Sequence, residues 1–140
     1  MISNSVVVDT NLIFSALIPS ASKIREILFE SKLTFYAPNF LITEIYQHKD
    51  KLLKSSKLNE SEFYLYFNGI IERINFIPLG FVGVESRQKA YDLCQDVDIK
   101  DTPFVALSID LAIPLWTGDK KLKDGLKEKG FTNFFNHQTI

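Results

Sequence analysis

VVVDTN, residues 6–11, places an acidic side chain directly after three β-branched apolar residues. Valine favours strands, and an apolar run of this kind is typical of a strand buried within a sheet. Charged side chains are rarely buried unless they are paired or bind something. The segment therefore predicts a buried strand that ends at a carboxylate, and it raises the question of what Asp9 binds.

Strands and helices alternate along the rest of the chain. Strands are predicted at 5–8, 33–38, 75–79 and 113–118, with a further strand at 131–136. Apolar residues at helical spacing, together with cap residues, predict helices over 11–18, 20–32, 39–56, 59–74, 83–97, 102–112 and 119–130. This order predicts an α/β fold with a central, mainly parallel sheet of about four to five strands flanked by helices.

Local signals mark several helix ends. Residues 19 and 20 separate the first two helices, and Asn39 is a candidate N-cap for the third. Asn59 followed by Glu62 has the spacing of a capping box. Gly130 is expected to end the last helix.

The composition predicts a single globular domain over residues 1–140. Of these residues 46% are hydrophobic, and the formal net charge is −1. That length allows one core, and the charge supplies no global basic field for nucleic acid. A single cysteine, Cys94, excludes an internal disulfide framework and a multi-cysteine zinc site. Neither a signal peptide nor an apolar run of ~18 residues is visible, so we expect a cytoplasmic protein without a membrane partner.

Carboxylates recur where predicted strands end. Asp9 follows the first strand, and Asp119 follows the strand at 113–118. Parallel sheets bind ligands at the carboxyl ends of their strands, so the two side chains are expected to meet although they lie 110 positions apart. The alternative is that each simply caps the helix after it, which contributes ~1 kcal/mol.

Further acids lie near helix starts and on an apolar helix face. Glu44 falls in the apolar sector of its helix, where it needs a partner or a position at the rim. Asp96, Asp98 and Asp101 precede a helix with Pro103 in its first turn. Capping explains one of these three acids, and the others should repel one another unless something positive lies nearby.

Oxygen ligands in this pattern indicate a hard divalent cation. Carboxylates that converge raise one another's pKa unless a cation compensates their charge. Without a Cys or His cluster, such a set favours Mg²⁺ or Mn²⁺ over Zn²⁺. We therefore interpret Asp9 as a metal ligand.

The chain resembles a PIN domain, the nuclease fold found in many prokaryotic toxin–antitoxin toxins and in RNA-processing factors. The resemblance extends over nearly the full length. It rests on VVDTNLIFSAL at 7–17, ITEI at 42–45 and DIKDTPFVALSIDLAIPLWTGDKKL at 98–122. It implies catalytic and metal-binding carboxylates at Asp9, Glu44, Asp101 and Asp119, with Asp98 as an additional acid.

The resemblance also implies an activity and partners. The activity is hydrolysis of RNA phosphodiester bonds by an endoribonuclease that uses one or two Mg²⁺ or Mn²⁺ ions. Thr10, Asn11 and Thr117 match the small polar positions around the site. The chain is then expected to be the toxin component of a toxin–antitoxin pair, to bind RNA and an antitoxin protein, and to form a homodimer.

Other polar and aromatic side chains have two interpretations. Lys120 and Lys121 flank Asp119 and are expected to contact the RNA backbone, although lysines on helices are commonly only solvated. His48 lies one turn after Glu44, where it faces the same groove or is an ordinary exposed residue. The aromatic side chains of 63–67 are too many for one core stripe, so part of them is expected at an interface.

Two alternative functions are weighed against the nuclease. A haloacid-dehalogenase-type phosphatase also begins with a strand that leads into an acid, but Asn11 occupies the position of its second acid. Without that acid, the proton donor for the leaving group is missing. A non-catalytic PIN-like module that binds RNA or protein has no need of a costly acidic cluster.

Overall fold

Four parallel strands organise the sheet. The structure is a computed structural model that describes residues 4–18 and 22–137. Within these ranges every strand pair is parallel, which confirms the predicted α/β class. The strands, in the spatial order β3-β2-β1-β4, are β1 (Ser5–Val8), β2 (Thr34–Pro38), β3 (Ile74–Ile77) and β4 (Leu115–Trp116).

Helices flank this sheet. None of those in the described ranges has the length and apolar character needed to cross a bilayer. Short 3-10 turns at Leu79–Phe81 and Ile99–Asp101 connect the later elements. The helices are α1 (Thr10–Ala16), α2 (Ser22–Glu30), α3 (Phe40–Gln47), α4 (Lys49–Ser56), α5 (Glu60–Glu72), α6 (Val84–Cys94), α7 (Thr102–Leu111) and α8 (Lys120–Glu128).

The central strand β1 fixes where a ligand can bind. All four of its residues are buried, as its apolar sequence predicts. The chain continues from β1 to β2 and β3 on one side, and β4 pairs on the other side. The carboxyl ends of β1 and β4 therefore lie at the switch point of the sheet, which is where open α/β sheets form their binding crevice.

The local signals for helix ends are largely confirmed. The backbone N–H of Glu62 donates to Asn59 Oδ1 at 2.8 Å, and the N–H of Asn59 donates to Glu62 Oε1 at 3.2 Å. This pair is the predicted capping box. Gly130 has a φ of +91°, a conformation in which a side chain would be strained, and it follows α8 as predicted.

The single cysteine is part of the core. Cys94 ends α6 and is fully buried. Burial raises the pKa of its thiol to about 11, and the negative charge of Asp101 contributes in the same direction. A thiol in this state packs as a small apolar residue and is unreactive.

The aromatic residues of α5 divide between core and surface. Phe63 and Phe67 are buried and stack with ring centroids 6.1 Å apart. Tyr66 and Leu65 are 41% and 74% exposed. The prediction that one core stripe cannot hold all of them is confirmed, while the expected interface stays a prediction.

The predicted helix over 39–56 is two helices. α3 ends at Gln47 and α4 begins at Lys49, because His48 leaves the helical conformation with φ −111° and ψ 14°. Apolar periodicity continues across this bend and therefore conceals it. Asn39 occupies the N-cap position of α3, but its side chain makes no capping hydrogen bond.

The predicted strand at 131–136 is wrong. Phe134 makes a single parallel bridge to Leu115. Two backbone hydrogen bonds of 2.9 Å join Leu115 to Asn133 and Phe135, and the Phe135 ring meets Trp116 edge-on with centroids 5.2 Å apart. The proposed separation of the first two helices at residues 19 and 20 lies outside the described residues.

Candidate active site

Asp9 caps α1 with one carboxylate oxygen and leaves the other without a partner. The residue is 1% exposed, and the N–H of Leu12 donates to Oδ1 at 2.9 Å. Oδ2 is buried and has no hydrogen-bond partner among the described residues. The capping alternative thus accounts for Oδ1 of the carboxylate and not for Oδ2. A buried, unpartnered oxygen is costly, and it is free to bind a cation.

The environment of Asp9 disfavours its negative charge. Burial raises the pKa of Asp9 to about 6, and the charges of Asp119 and Glu44 act in the same direction. The nearby Thr117 side chain and the hydrogen bond from the Leu12 backbone lower that pKa in part. The acids near Asp9 therefore lie close enough to repel it, as the sequence predicts for converging carboxylates whose charge is not compensated.

Asp119 occupies the corresponding position after β4. The N–H of Leu122 donates to Asp119 Oδ1 at 3.1 Å, so this carboxylate caps α8. The N–H of Asp119 itself donates to Thr117 Oγ1 at 3.1 Å. The two strand ends are joined because the N–H of Asp9 donates to the carbonyl of Trp116 at 3.3 Å.

Glu44 has the partner that its position on an apolar face requires. Thr10, the first residue of α1, donates its hydroxyl to Glu44 Oε1 at 2.6 Å across 34 positions of sequence. The hydroxyl holds one carboxylate oxygen in place. Thr10 therefore acts on the site by orienting an acid.

Asp96, Asp98 and Asp101 have different surroundings. Asp96 forms an ion pair with Lys129, and the Asp98 carboxylate accepts from the N–H of Lys100 at 3.1 Å. Asp101 stands at the N-cap position of α7 but makes no capping hydrogen bond. Burial raises the pKa of Asp101 to about 7, and the charges of Asp9 and other nearby acids contribute.

These elements enclose one small cleft, which we call the acidic cleft. Its volume is about 130 Å³, and four carboxylates line it, those of Glu44, Asp98, Asp101 and Asp119. Asp9 is buried next to it and is coupled electrostatically to Asp101. The fold thus brings together all five acids that the resemblance selects, while Asp96 is paired elsewhere.

The predicted substrate-contacting residues are only partly in the cleft. Thr10 and Asn11 line it. Thr117 is buried and bonded to the backbone of the residue two positions on. Lys120 and Lys121 are exposed in the first turn of α8 and do not line the cleft.

Three other side chains line the acidic cleft without being predicted as site residues, Phe14, His48 and Lys100. Lys100 lies between two predicted acids in DIKD, and that spacing is a signal that could have identified it. Phe14 shows only as an apolar position of α1, so sequence gives no such signal. His48 faces the groove of Glu44, which is the first of its two interpretations.

The donor chemistry of the site fits a hard divalent cation. Every acid in it offers oxygen, and in the part of the chain that the structure describes Asp9 Oδ2 is buried without a partner. Within residues 4–18 and 22–137, no three His, Cys, Asp or Glu side chains form a complete metal-binding group as they are placed. Small side-chain adjustments, or water ligands of the kind that Mg²⁺ commonly retains, would be needed to complete its coordination.

Fold and site together define a class. The parallel sheet collects carboxylates beyond the ends of the adjacent strands β1 and β4, which makes this an α/β protein with a candidate cation site at the switch point of its sheet. The family is given by comparison with known sequences. A family model described as PIN domain matches residues 7–138, so the chain belongs to the PIN domain family. PIN domains are in general nucleases. A search of curated proteins found no match to the chain.

Proposed function

We propose that this chain is a divalent-metal-dependent endoribonuclease that hydrolyses RNA phosphodiester bonds at the acidic cleft. Family membership supports nuclease chemistry in general. The observation that carries the metal dependence is the unpartnered, buried Asp9 Oδ2 beside an acid-lined cleft. Such a cleft repels phosphate unless a cation intervenes.

The proposed ligands of Mg²⁺ or Mn²⁺ are Asp9, Glu44, Asp98, Asp101 and Asp119. When bound there, the ion lowers the pKa of a water molecule and offsets the charge of the phosphate and leaving oxygen. Asp9 Oδ2 is available because the capping bond uses only Oδ1. Asp101 is available because it makes no capping bond.

Residues around these acids hold them in position. The hydroxyl of Thr10 fixes Oε1 of Glu44, so that the proposal uses Oε2 as the oxygen available to the cation. Thr117 fixes the backbone at Asp119, and its side chain lowers the pKa of Asp9. Outer contacts of this kind tune metal affinity, and losing one typically costs 10–100-fold.

The finer biological role rests on the resemblance. We propose that the chain is the toxin of a toxin–antitoxin pair, acts in the cytoplasm, binds an antitoxin protein and forms a homodimer. The exposed part of α5 supplies apolar area for one such contact. The phosphatase alternative finds no support, because Asn11 lines the cleft where that class needs an acid.

Cleavage of RNA with and without metal tests this function. We expect purified protein to cleave single-stranded RNA internally with Mg²⁺ or Mn²⁺, and EDTA to stop the reaction. Asp101→Asn should abolish cleavage, whereas Asp124→Asn, an exposed acid on α8 outside the cleft, should not change it. Cleavage that persists in EDTA or in Asp101→Asn would contradict the proposal.

A further inference from the structure

A second cleft adjoins the acidic cleft. Its volume is about 380 Å³, and its lining includes Phe14, Ile18, His48, Lys51 and Leu52. We call it the apolar cleft. The volume falls in the range of ~300–1,000 Å³ that small-molecule sites occupy.

The two clefts have a common wall. Asn11, Phe14 and His48 line both of them. The rings of Phe14 and His48 meet edge-on with centroids 5.7 Å apart. This aromatic pair therefore stands where a strand would pass from the acidic cleft to the apolar cleft.

We infer that the apolar cleft is a nucleobase subsite, which receives the base next to the phosphate held in the acidic cleft. The inference rests on the proposed function and assigns recognition of an unpaired base to side chains that line the apolar cleft. An unpaired base offers a flat apolar face for Phe14 and His48 and polar edges for Asn11 and Ser15. In a duplex, that base is stacked and out of reach.

The charge of the apolar cleft fits a nucleotide. Lys51 lines it and is exposed on α4, so its ammonium group is available to a phosphate one nucleotide away. None of the acids of the acidic cleft lines the apolar cleft. Sites for single-stranded nucleic acid combine aromatic side chains with cationic ones, as Phe14, His48 and Lys51 do here. An apolar peptide would have no use for the positive charge of Lys51.

Direct binding gives the first arm of the test. Asp119→Asn should retain the helix cap, because Asn caps as well as Asp, while it removes a proposed ligand and with it cleavage. In this background, fluorescence anisotropy measures the Kd for a short labelled single-stranded RNA in Mg²⁺. Phe14→Ala and His48→Ala should each weaken binding about tenfold, within the range for one lost base–aromatic stack.

Matched controls lie on α3 and α4, the two helices that flank His48. Tyr46→Ala removes an exposed aromatic ring of α3, and Lys54→Ala removes an exposed lysine of α4, and neither residue lines either cleft. Both should leave the Kd unchanged, whereas Lys51→Ala should weaken binding about threefold and reduce its dependence on salt. His48 is exposed, so His48→Ala carries the test if Phe14→Ala does not fold.

Abasic RNA gives the second arm, which separates base recognition from structural damage. After the cleaved bond in a defined RNA is mapped, the nucleotides on either side of it are replaced one at a time by abasic nucleotides. In otherwise wild-type protein one replacement should lower kcat/KM about tenfold. In Phe14→Ala and His48→Ala the same replacement should have no further effect, because the base contact is already lost.

The outcomes separate the two proposals. Metal-dependent cleavage with unchanged Kd in both ring variants, or with losses that multiply on abasic RNA, would overturn the base subsite alone. Absence of both cleavage and RNA binding in the wild-type chain would overturn the nuclease and the subsite together.

Discussion

The carboxyl ends of β1 and β4 have the same local design but different surroundings. At each end an acid follows the strand and caps the next helix, Asp9 through Leu12 and Asp119 through Leu122. Asp9 is 1% exposed and has an oxygen without a partner among the described residues, whereas Asp119 is only partly buried and lines the acidic cleft. The comparison teaches that one carboxylate can cap a helix with one oxygen and still offer the other to a cation. The two ends differ in burial, which leaves the second oxygen of Asp9 without access to water.

The largest expected effect comes from neutralising the buried end. Asp9→Asn keeps an oxygen for the capping bond and removes the charge. We expect kcat/KM for RNA to fall more than ~100-fold, beyond the usual cost of losing an outer contact of a metal site. Far-ultraviolet circular dichroism and Tm serve as controls for folding. Activity within tenfold of wild type would contradict a ligand role for Asp9.

The pH dependence of stability tests the burial of Asp9 and Asp101 directly. Burial raises the pKa of Asp9 to about 6 and that of Asp101 to about 7, from ordinary values of 3.8. The folded state therefore binds protons more tightly than the unfolded state, so stability falls as pH rises from about 4 to about 7. In EDTA, Tm should drop by several degrees across this window, since 1 kcal/mol corresponds to roughly 3–6 °C.

Metal should oppose this loss. Mg²⁺ or Mn²⁺ binds ionised carboxylates, so the gain in Tm on adding the ion should be larger at pH 8 than at pH 5. Differential scanning fluorimetry measures both series. Asp9→Asn should flatten the slope in EDTA, and an unchanged slope in that variant would show that Asp9 does not carry the effect.

A smaller effect is expected when the orientation of an acid is disturbed. Thr10→Val retains the shape of the side chain and removes the hydroxyl that donates to Glu44. We expect metal affinity, measured by titration calorimetry, to fall about tenfold. Thr43→Val on exposed α3 surface is the matched control. Equal affinities for both variants would assign Thr10 no positioning role.

The smallest effect separates capping from charge at the other end. Asp119→Ala loses the cap of α8 and should lower the free energy of unfolding by about 1 kcal/mol relative to Asp119→Asn. Urea denaturation measures the difference. Both variants should lose cleavage, because both lack the carboxylate. If Asp119→Asn cleaves like wild type, the acid after β4 serves only as a cap.

Most of the fold follows from local signals in the sequence. The valines of β1 and the box of Asn59 and Glu62 depend on neighbours a few positions away, so periodicity and capping rules find them. The bend at His48 and the single bridge at Phe134 do not. Both features depend on packing between residues far apart in the chain, and a local sequence pattern carries no information about such packing.

The candidate site divides in the same way. Asp9 and Asp119 follow from strand ends, so sequence selects them. Asp96 and Asp101 have different roles because Lys129, 33 positions beyond Asp96, forms an ion pair with Asp96 and not with Asp101. That choice is made by tertiary structure. Sequence could not predict the aromatic wall of the apolar cleft either, since the ring of Phe14 on α1 meets that of His48, directly after α3, only when these elements pack together.

The buried thiol at the end of α6, from the single cysteine of the sequence, allows opening of this helix to be measured. Since no second thiol competes in the chain, one alkylating reagent yields one label per molecule, and mass spectrometry counts it without ambiguity. Labelling requires Cys94 to leave its packed environment, so its rate follows how often α6 detaches. Slower labelling of Cys94 in the presence of Mn²⁺ would then report binding of the ion at the acidic cleft, without any RNA substrate in the assay.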